Sequence, residues 1–215
     1  MPEDVSVMVV PAGRTTDVVK AAADKLRRAA AADGNLIGMD IEWAISKRGA
    51  PENAPATIQL AAGKVVVVFR VLHGQSVTPS KLPDPVADIL TDKDLRKTGA
   101  SIGGDCTRLR KHYGVHVKSA VDLVKAAAGC GVDIGRNRGL ADLTSHLLGK
   151  GLCKDKHVRL SAWNSRELSA EQERYAALDA YASLAIHRRI LELADPIFGP
   201  PDELAAGNRV RLYIS

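Results

Sequence analysis

Apolar and polar positions along this chain follow two periods, and they place strands early and helices late. Val5 to Val10 is short and β-branched, and Pro11 and Gly13 break it. Thr16 to Ala32 repeats at helical spacing, with Val18, Val19, Ala22 and Leu26 on the inner face and Asp33-Gly34 as the stop. Leu36 to Trp43 predicts a strand, and Ser46 to Pro55, with two prolines, predicts a loop. Thr57 to Leu60 and Lys64 to Val71 predict a hairpin turning at Ala61-Ala62-Gly63. Within it, Val65 to Phe69 is apolar on both faces, as an interior strand requires. Pro83 to Leu90 reads as a short helix, Lys97 to Ile102 as a strand, and Asp105 to Tyr113 as a helix stopped by Gly114. Val115 to Val121 predicts a further strand and Asp122 to Ala128 a short helix. After the glycine-rich connection Gly131 to Gly139, Leu140 to Leu148 is helical, and Leu152 to Asn164 is basic and irregular. Ser169 and Gln172 have capping-box spacing and open a last helix running to about Leu193. Asp195-Pro196 and Gly199-Pro200-Pro201 then loosen the chain, and Arg209 to Ile214 fits a late edge strand. The expectation is an α/β domain over 1–195, one mixed sheet of five to six strands flanked by helices on both faces, with a tail of unassigned role over 196–215.

Asp40 and Glu42 interrupt the apolar run Leu36 to Trp43. Residues two apart in a strand face the same side, so both acids project together. Burying an unpaired charge costs on the order of several kcal/mol. A hard divalent cation between the two acids removes that cost, and such ions prefer oxygen ligands. An edge strand with two solvated acids explains the same spacing. Asp105 follows Gly99-Ala100-Ser101-Ile102-Gly103-Gly104 at a strand-to-helix junction, where paired glycines permit close backbone approach. Taken alone, Asp105 reads as a helix cap near the positive end of the helix. Tyr175 and Asp179 lie four apart and share a helix face, with alanines around them that let the helix lie close to a sheet.

Composition narrows the class. Hydrophobic residues make up 46% of 215, enough for a sizeable core, and 26% are charged, against global disorder. Lys plus Arg number 30 against 25 acids, the mild basic excess of a nucleic-acid binder. Aromatics are only 4%, so a grip on nucleic acid has to rest on backbone charge and metals rather than on stacking. Cys106, Cys130 and Cys153 lack C-x-x-C spacing, which argues for free thiols in a reducing compartment. No basic n-region opens the chain, and no apolar run approaches the roughly 20 residues needed to span a bilayer. The expectation is a soluble protein of the nucleus or cytoplasm.

An ordered set of D-x-E on a strand, D after a later strand, and Y-x-x-x-D on a last long helix resembles the DEDDy group of 3′–5′ exonucleases, on a ribonuclease H-like (DnaQ-like) fold. The blocks that carry the likeness are Gly38 to Trp43, Ile58-Gln59-Leu60 and Gly99 through Asp105 to Leu109. Further blocks are Leu147 to Lys150, Lys154-Asp155-Lys156, Ser161-Ala162-Trp163, and Leu168-Ser169 through Gln172 to Ala182. They cover roughly residues 5 to 193 and are most similar to Werner-type exonuclease domains. The resemblance implies that Asp40 bridges two divalent cations, Mg²⁺ or Mn²⁺, with Glu42 and Asp179 completing the ligands of the first ion. It implies that Asp105 supports the second ion through water and that Tyr175 orients the attacking water. Two cations about 3.5–4 Å apart stabilise the entering and leaving oxygens of a phosphodiester displacement. The implied substrate is single-stranded or 3′-recessed nucleic acid, DNA ahead of RNA.

Around this centre, Trp43 is either a core residue or a ring near the terminal base. Lys47 and Arg48 lie in a loop beside the acids. Lys150, Lys154, Lys156, His157 and Arg159 form a basic stretch before Trp163, with Arg166 beyond. Each of these cations is either a phosphate contact or a solvated charge, and Trp163 is a candidate nucleic-acid contact among them.

Overall fold

The computed structural model describes residues 1–46, 49–71, 81–136 and 139–194. The chain opens with β1 (Ser6–Val10), α1 (Thr16–Ala31), β2 (Leu36–Glu42), β3 (Thr57–Ala62) and β4 (Val65–Arg70). It continues through α2 (Asp84–Thr91), β5 (Arg96–Gly99), α3 (Ile102–Tyr113), β6 (Ala120–Asp122) and α4 (Leu123–Gly129). It closes with α5 (Leu140–Leu148), α6 (Lys156–Arg159) and α7 (Ala170–Leu193). The strands form one mixed sheet in the order β1-β4-β3-β2-β5-β6. β2, β3 and β4 make an antiparallel meander, and β1, β5 and β6 join it in parallel. β4 lies between β1 and β3, the interior position its two-sided apolar run required.

Alternation along β2 divides the molecule. Ile37, Met39 and Ile41 enter a core shared with Leu26 of α1, Ile89 of α2 and Leu109 of α3. Leu36, from the other parity, enters a second core with Val66 and Val68 of β4 and Ala176, Ala177 and Ala180 of α7. Asp40 and Glu42 share the parity of Leu36 and so face α7. A third cluster joins α4 and α5 to the distal part of α7 through Leu123, Leu143, Ile186 and Ile190.

Gly38 sets the distance between the layers. A Cβ on it would stand 2.1 Å from the Ala180 carbonyl oxygen and 2.7 Å from the Leu184 backbone nitrogen. Only a hydrogen fits there, so α7 runs across β2 in backbone contact. The start of α7 is fixed by the expected capping box. Ser169 Oγ accepts from Gln172 N at 3.2 Å, and Gln172 Oε1 accepts from Ser169 N at 2.9 Å. Such a cap contributes about 1 kcal/mol.

Several boundaries differ from expectation. The strand expected over Lys97 to Ile102 ends at Gly99, because Ser101 turns into the left-handed region (φ 58°) and α3 begins at Ile102. Gly103 and Gly104 therefore lie in the first turn of α3, and no atom lies within 4 Å of a Cβ built on either. Asp105 is not the cap of α3, which starts from Ser101. The strand expected over Val115 to Val121 is reduced to Ala120–Asp122, and Val115 packs into the first core instead. Val18 is 44% exposed; the apolar face of α1 turns past it through Val19, Ala22 and Leu26. The basic stretch holds a short helix, α6, capped by Asp155 through His157 N. The late strand over Arg209 to Ile214 and the tail fall outside the described residues. Cys106, Cys130 and Cys153 are free thiols. Among the described residues, no helix is long and apolar enough to cross a membrane.

Gly38→Ala forces a methyl into the α7 backbone, where neither partner can yield by a rotamer change. The substitution is expected to destabilise the protein by about 3 kcal/mol or more, read as a lowered urea midpoint at unchanged slope. An unchanged midpoint would show that α7 does not sit on β2 as described.

Candidate active site

The packing of α7 on β2 brings the separated acids together. Oxygen atoms of Asp40, Glu42 and Asp179 all lie within 4.8 Å of one another. Glu42 is 8% exposed and Asp179 2%. Tyr175 stands one turn before Asp179 on α7 and packs its ring against Trp163, with centroids 6.0 Å apart and planes tilted by 55°. Asp105 arrives from the first turn of α3, beyond the end of β5, which pairs directly with β2. It is not part of the 4.8 Å triad, yet its charge bears on Asp40 and Glu42.

These carboxyls resist ionisation. Burial and then repulsion from Asp179, Asp105 and Glu42 push Asp40 well above the usual carboxylate range. Burial and the Asp179 charge raise Glu42 to about 8. Burial raises Asp105 to about 7, with Arg108 opposing. Burial likewise raises Asp179, against the pull of Lys154 and a hydrogen bond with Asp40. Burial and the neighbouring acids push the Tyr175 hydroxyl upward, so it keeps its proton at neutral pH. A set of buried and half-buried oxygen donors that repel one another is chemically matched to a hard divalent cation.

One cation reaches into the cluster. Lys154 Nζ donates to Asp179 Oδ2 and lies 5.1 Å from the centroid of the Tyr175 ring. Arg159, exposed at the end of α6, lowers Glu42 through space. The segment carrying these cations is strapped down by contacts the sequence did not announce. Buried Arg70, at the end of β4, donates to the carbonyls of Ser165 and Arg166. Gln172 Nε2 donates to Ser161 Oγ at 2.8 Å, and Trp163 Nε1 donates to the Arg159 carbonyl at 3.1 Å. The available signal was Arg70 itself, a lone cation closing an apolar strand. Arg108 was missed as well. Its guanidinium lies 3.8 Å from the Trp43 ring centroid, donates to the Asn53 carbonyl at 2.8 Å, and pairs with Glu52. It thereby ties the loop after β2 to α3, beside Asp105.

The peripheral candidates separate. Trp163 is fully buried in the second core, which corrects its assignment to nucleic-acid contact: a ring with no exposed face cannot meet a strand. Trp43 is partly buried, packs against the first core, and is covered by Arg108. Lys156 and Arg166 are exposed. Lys47 and Arg48 lie outside the described residues.

A family model described as 3′–5′ exonuclease matches residues 15–194. The 3′–5′ exonuclease of Arabidopsis thaliana is 34% identical over 168 residues, 76% of this chain and 55% of that protein. The bifunctional 3′–5′ exonuclease/ATP-dependent helicase WRN of Mus musculus is 32% identical over 163 residues, 76% of this chain and 11% of the mouse protein. The chain thus spans about half the length of the one and about a tenth of the other. Among solved structures, the Aedes aegypti Nibbler EXO domain superposes with a TM-score of 0.72 at 26% identity, covering 93% of each chain. Escherichia coli RNase D superposes with a TM-score of 0.66 at 20% identity, over 88% of this chain and 45% of that one, a likeness of fold alone.

The acid cluster makes stability depend on pH in a definite sense. Glu42 and Asp105 ionise at about 4 when unfolded and at about 8 and 7 when folded. Their contribution is fully present below pH 4 and is lost as pH rises through 7 and 8. In EDTA, the melting temperature is expected to fall between pH 5.5 and 8.5. Glu42→Gln should flatten that fall, and Mn²⁺ at pH 8.5 should reverse it in the wild type. A metal-free melt that rises over this window would rule out the buried, repelling cluster.

Proposed function

The chain belongs to the 3′–5′ exonuclease family, and we propose that it hydrolyses the terminal phosphodiester of a strand with two divalent ions, releasing nucleoside 5′-monophosphates. The observation that carries this reading is the closure of Asp40, Glu42 and Asp179 within 4.8 Å, beside Tyr175. Mg²⁺ or Mn²⁺ fits a donor set made only of carboxylates, where zinc favours nitrogen and sulfur. Asp40, shared between the two ions, would hold them together with Glu42 and Asp179 on the first, and Asp105 would support the second from farther out. When bound, the ions supply positive charge that activates water and offsets charge on the entering and leaving oxygens. The chain's own groups do the rest. Tyr175 keeps its proton and orients the attacking water through its hydroxyl rather than acting as the base. Lys154 and Arg159 hold phosphate oxygens at the cluster, and Lys156 and Arg166 steer the strand farther out.

The substrate is single-stranded or 3′-recessed DNA ahead of RNA. That preference rests on the likeness of the Lys154–Lys156 and Ser161–Trp163 blocks to Werner-type domains.

Matched DNA and RNA oligonucleotides, labelled at the 5′ end, test the reading with Mg²⁺, with EDTA, and with a 3′-blocked control. DNA is expected to shorten stepwise from its 3′ end, faster than RNA, and to survive intact in EDTA or behind the block. Asp40→Ala and Asp179→Ala should abolish shortening. Tyr175→Phe should slow turnover on the order of a hundredfold with little change in KM. Full cleavage in EDTA, or by either alanine variant, overturns the assigned roles. Faster loss of RNA moves the assignment to an exoribonuclease.

A further inference from the structure

We infer that Lys154 is a tethered cation that shares Asp179 with the metal, holding the acid cluster in the metal-free protein and passing to a substrate phosphate when ions displace it. The inference rests on the exonuclease reading above. Lys154 Nζ is hydrogen-bonded to Asp179 Oδ2, and Asp179 belongs to the triad that would bind an ion. An ammonium on that oxygen uses electron density that a divalent ion needs, and two cations at one carboxylate repel. The groups that interact with the ammonium are Asp40 and Glu42 from β2 and Asp179 and Tyr175 from α7, while Arg159 from α6 bears on Glu42 and Tyr175 through space. Its ammonium is thus hydrogen-bonded into a cluster of acids, where one fixed role as an ion-pair partner would compete with metal binding.

Two observations leave it room to swing away. Its side chain keeps 30% of its surface exposed, while Asp179 keeps 2%. Residues 150–155 form neither helix nor strand, although Asp155 beside it is anchored as the cap of α6. A four-carbon stem on a fixed backbone position can therefore swing without unfolding the segment. Once free, the ammonium is a point-charge partner for a phosphate oxygen arriving at the same cluster. Coupling follows by reciprocity. Metal binding frees the lysine for the strand, and the strand draws the lysine off Asp179, so each ligand tightens the other.

The test uses the full chain stripped with EDTA and dialysed, with Mn²⁺ titrated by calorimetry and thermal melts, alone and with a 3′-blocked single-stranded DNA oligonucleotide. Lys154→Met is expected to bind Mn²⁺ alone about fivefold more tightly or better. It should melt below wild type without metal, where Asp179 has lost its partner, and level with wild type at saturating Mn²⁺. The oligonucleotide should tighten Mn²⁺ binding to wild type and to Lys154→Arg by more than it does to Lys154→Met, which keeps only the direct attraction between ion and phosphate. Unaltered or weaker Mn²⁺ binding by Lys154→Met, or a melt lowered equally with and without Mn²⁺, makes the lysine a fixed strut and overturns the inference. Wild type that takes up no Mn²⁺ overturns the nuclease reading, and this inference with it; wild type that binds Mn²⁺ while Lys154→Met binds the ion alone no more tightly overturns the lysine's role only.

Discussion

The backbone contact between α7 and β2 at Gly38 is the constraint from which the rest of the molecule follows. The helix cannot approach so closely over any other residue, because the Ala180 carbonyl and the Leu184 nitrogen occupy the place of a side chain. From that contact, Asp179 is one residue back along α7, and Asp40 and Glu42 are two and four residues on along β2. The carboxylates therefore meet because apolar layers are packed around them, not because they attract. Ala176, Ala177 and Ala180 on one side and Val66 and Val68 on the other are all fully buried, and their burial holds the geometry against the repulsion.

Such a cluster is a local loss of stability maintained by the surrounding structure, which is where functional sites and stability diverge. The chain limits the loss in two ways. The acids hold their protons to higher pH than free carboxyls do, as burial raises Asp40, Glu42 and Asp105. Cations are also brought to the rim on segments that are themselves tied down. Arg70 clamps the Ser165–Arg166 carbonyls, and Arg108 links Asp105's helix to the loop after β2. Neither arginine belongs to the acid cluster. Each fixes a segment that borders it.

Periodic features were legible in the sequence. The alternation of β2, the two-sided run of β4, the exact span of α5 and the Ser169–Gln172 box all stand in the structure, because each is set by neighbours close in the chain. The failures share a cause in long-range context. Gly99 to Ile102 looked extended, but the left-handed Ser101 turns it, and that turn is what carries Asp105 toward β2. Trp163 looked like a surface ring among lysines, yet it fills the space between α7 and the sheet that the small alanines leave. Arg70 could be seen as a strand-ending cation, but its partners lie 95 and 96 residues away. The acids themselves were visible one by one; that three of them close on one point is a property of packing.

The aromatic inventory completes the argument about recognition. Among the described residues no aromatic ring is exposed: Phe69, Trp163 and Tyr175 are buried, and Trp43, Tyr113 and Tyr181 are partly so. Tyr113 spends its hydroxyl on the Pro55 carbonyl at 2.6 Å, and Trp43 lies beneath a guanidinium. Among the described residues, then, no exposed Phe, Trp or Tyr offers a platform for stacking, which normally supplies about 1–3 kcal/mol per base. What the surface does present at the acid cluster is charge of both signs, four carboxyls with Lys154 and Arg159 beside them. On the proposed reading, such a site would recognise a phosphate and its terminus whatever base it carries. A processive grip would have to come from charge spread along the strand, which weakens steeply with salt.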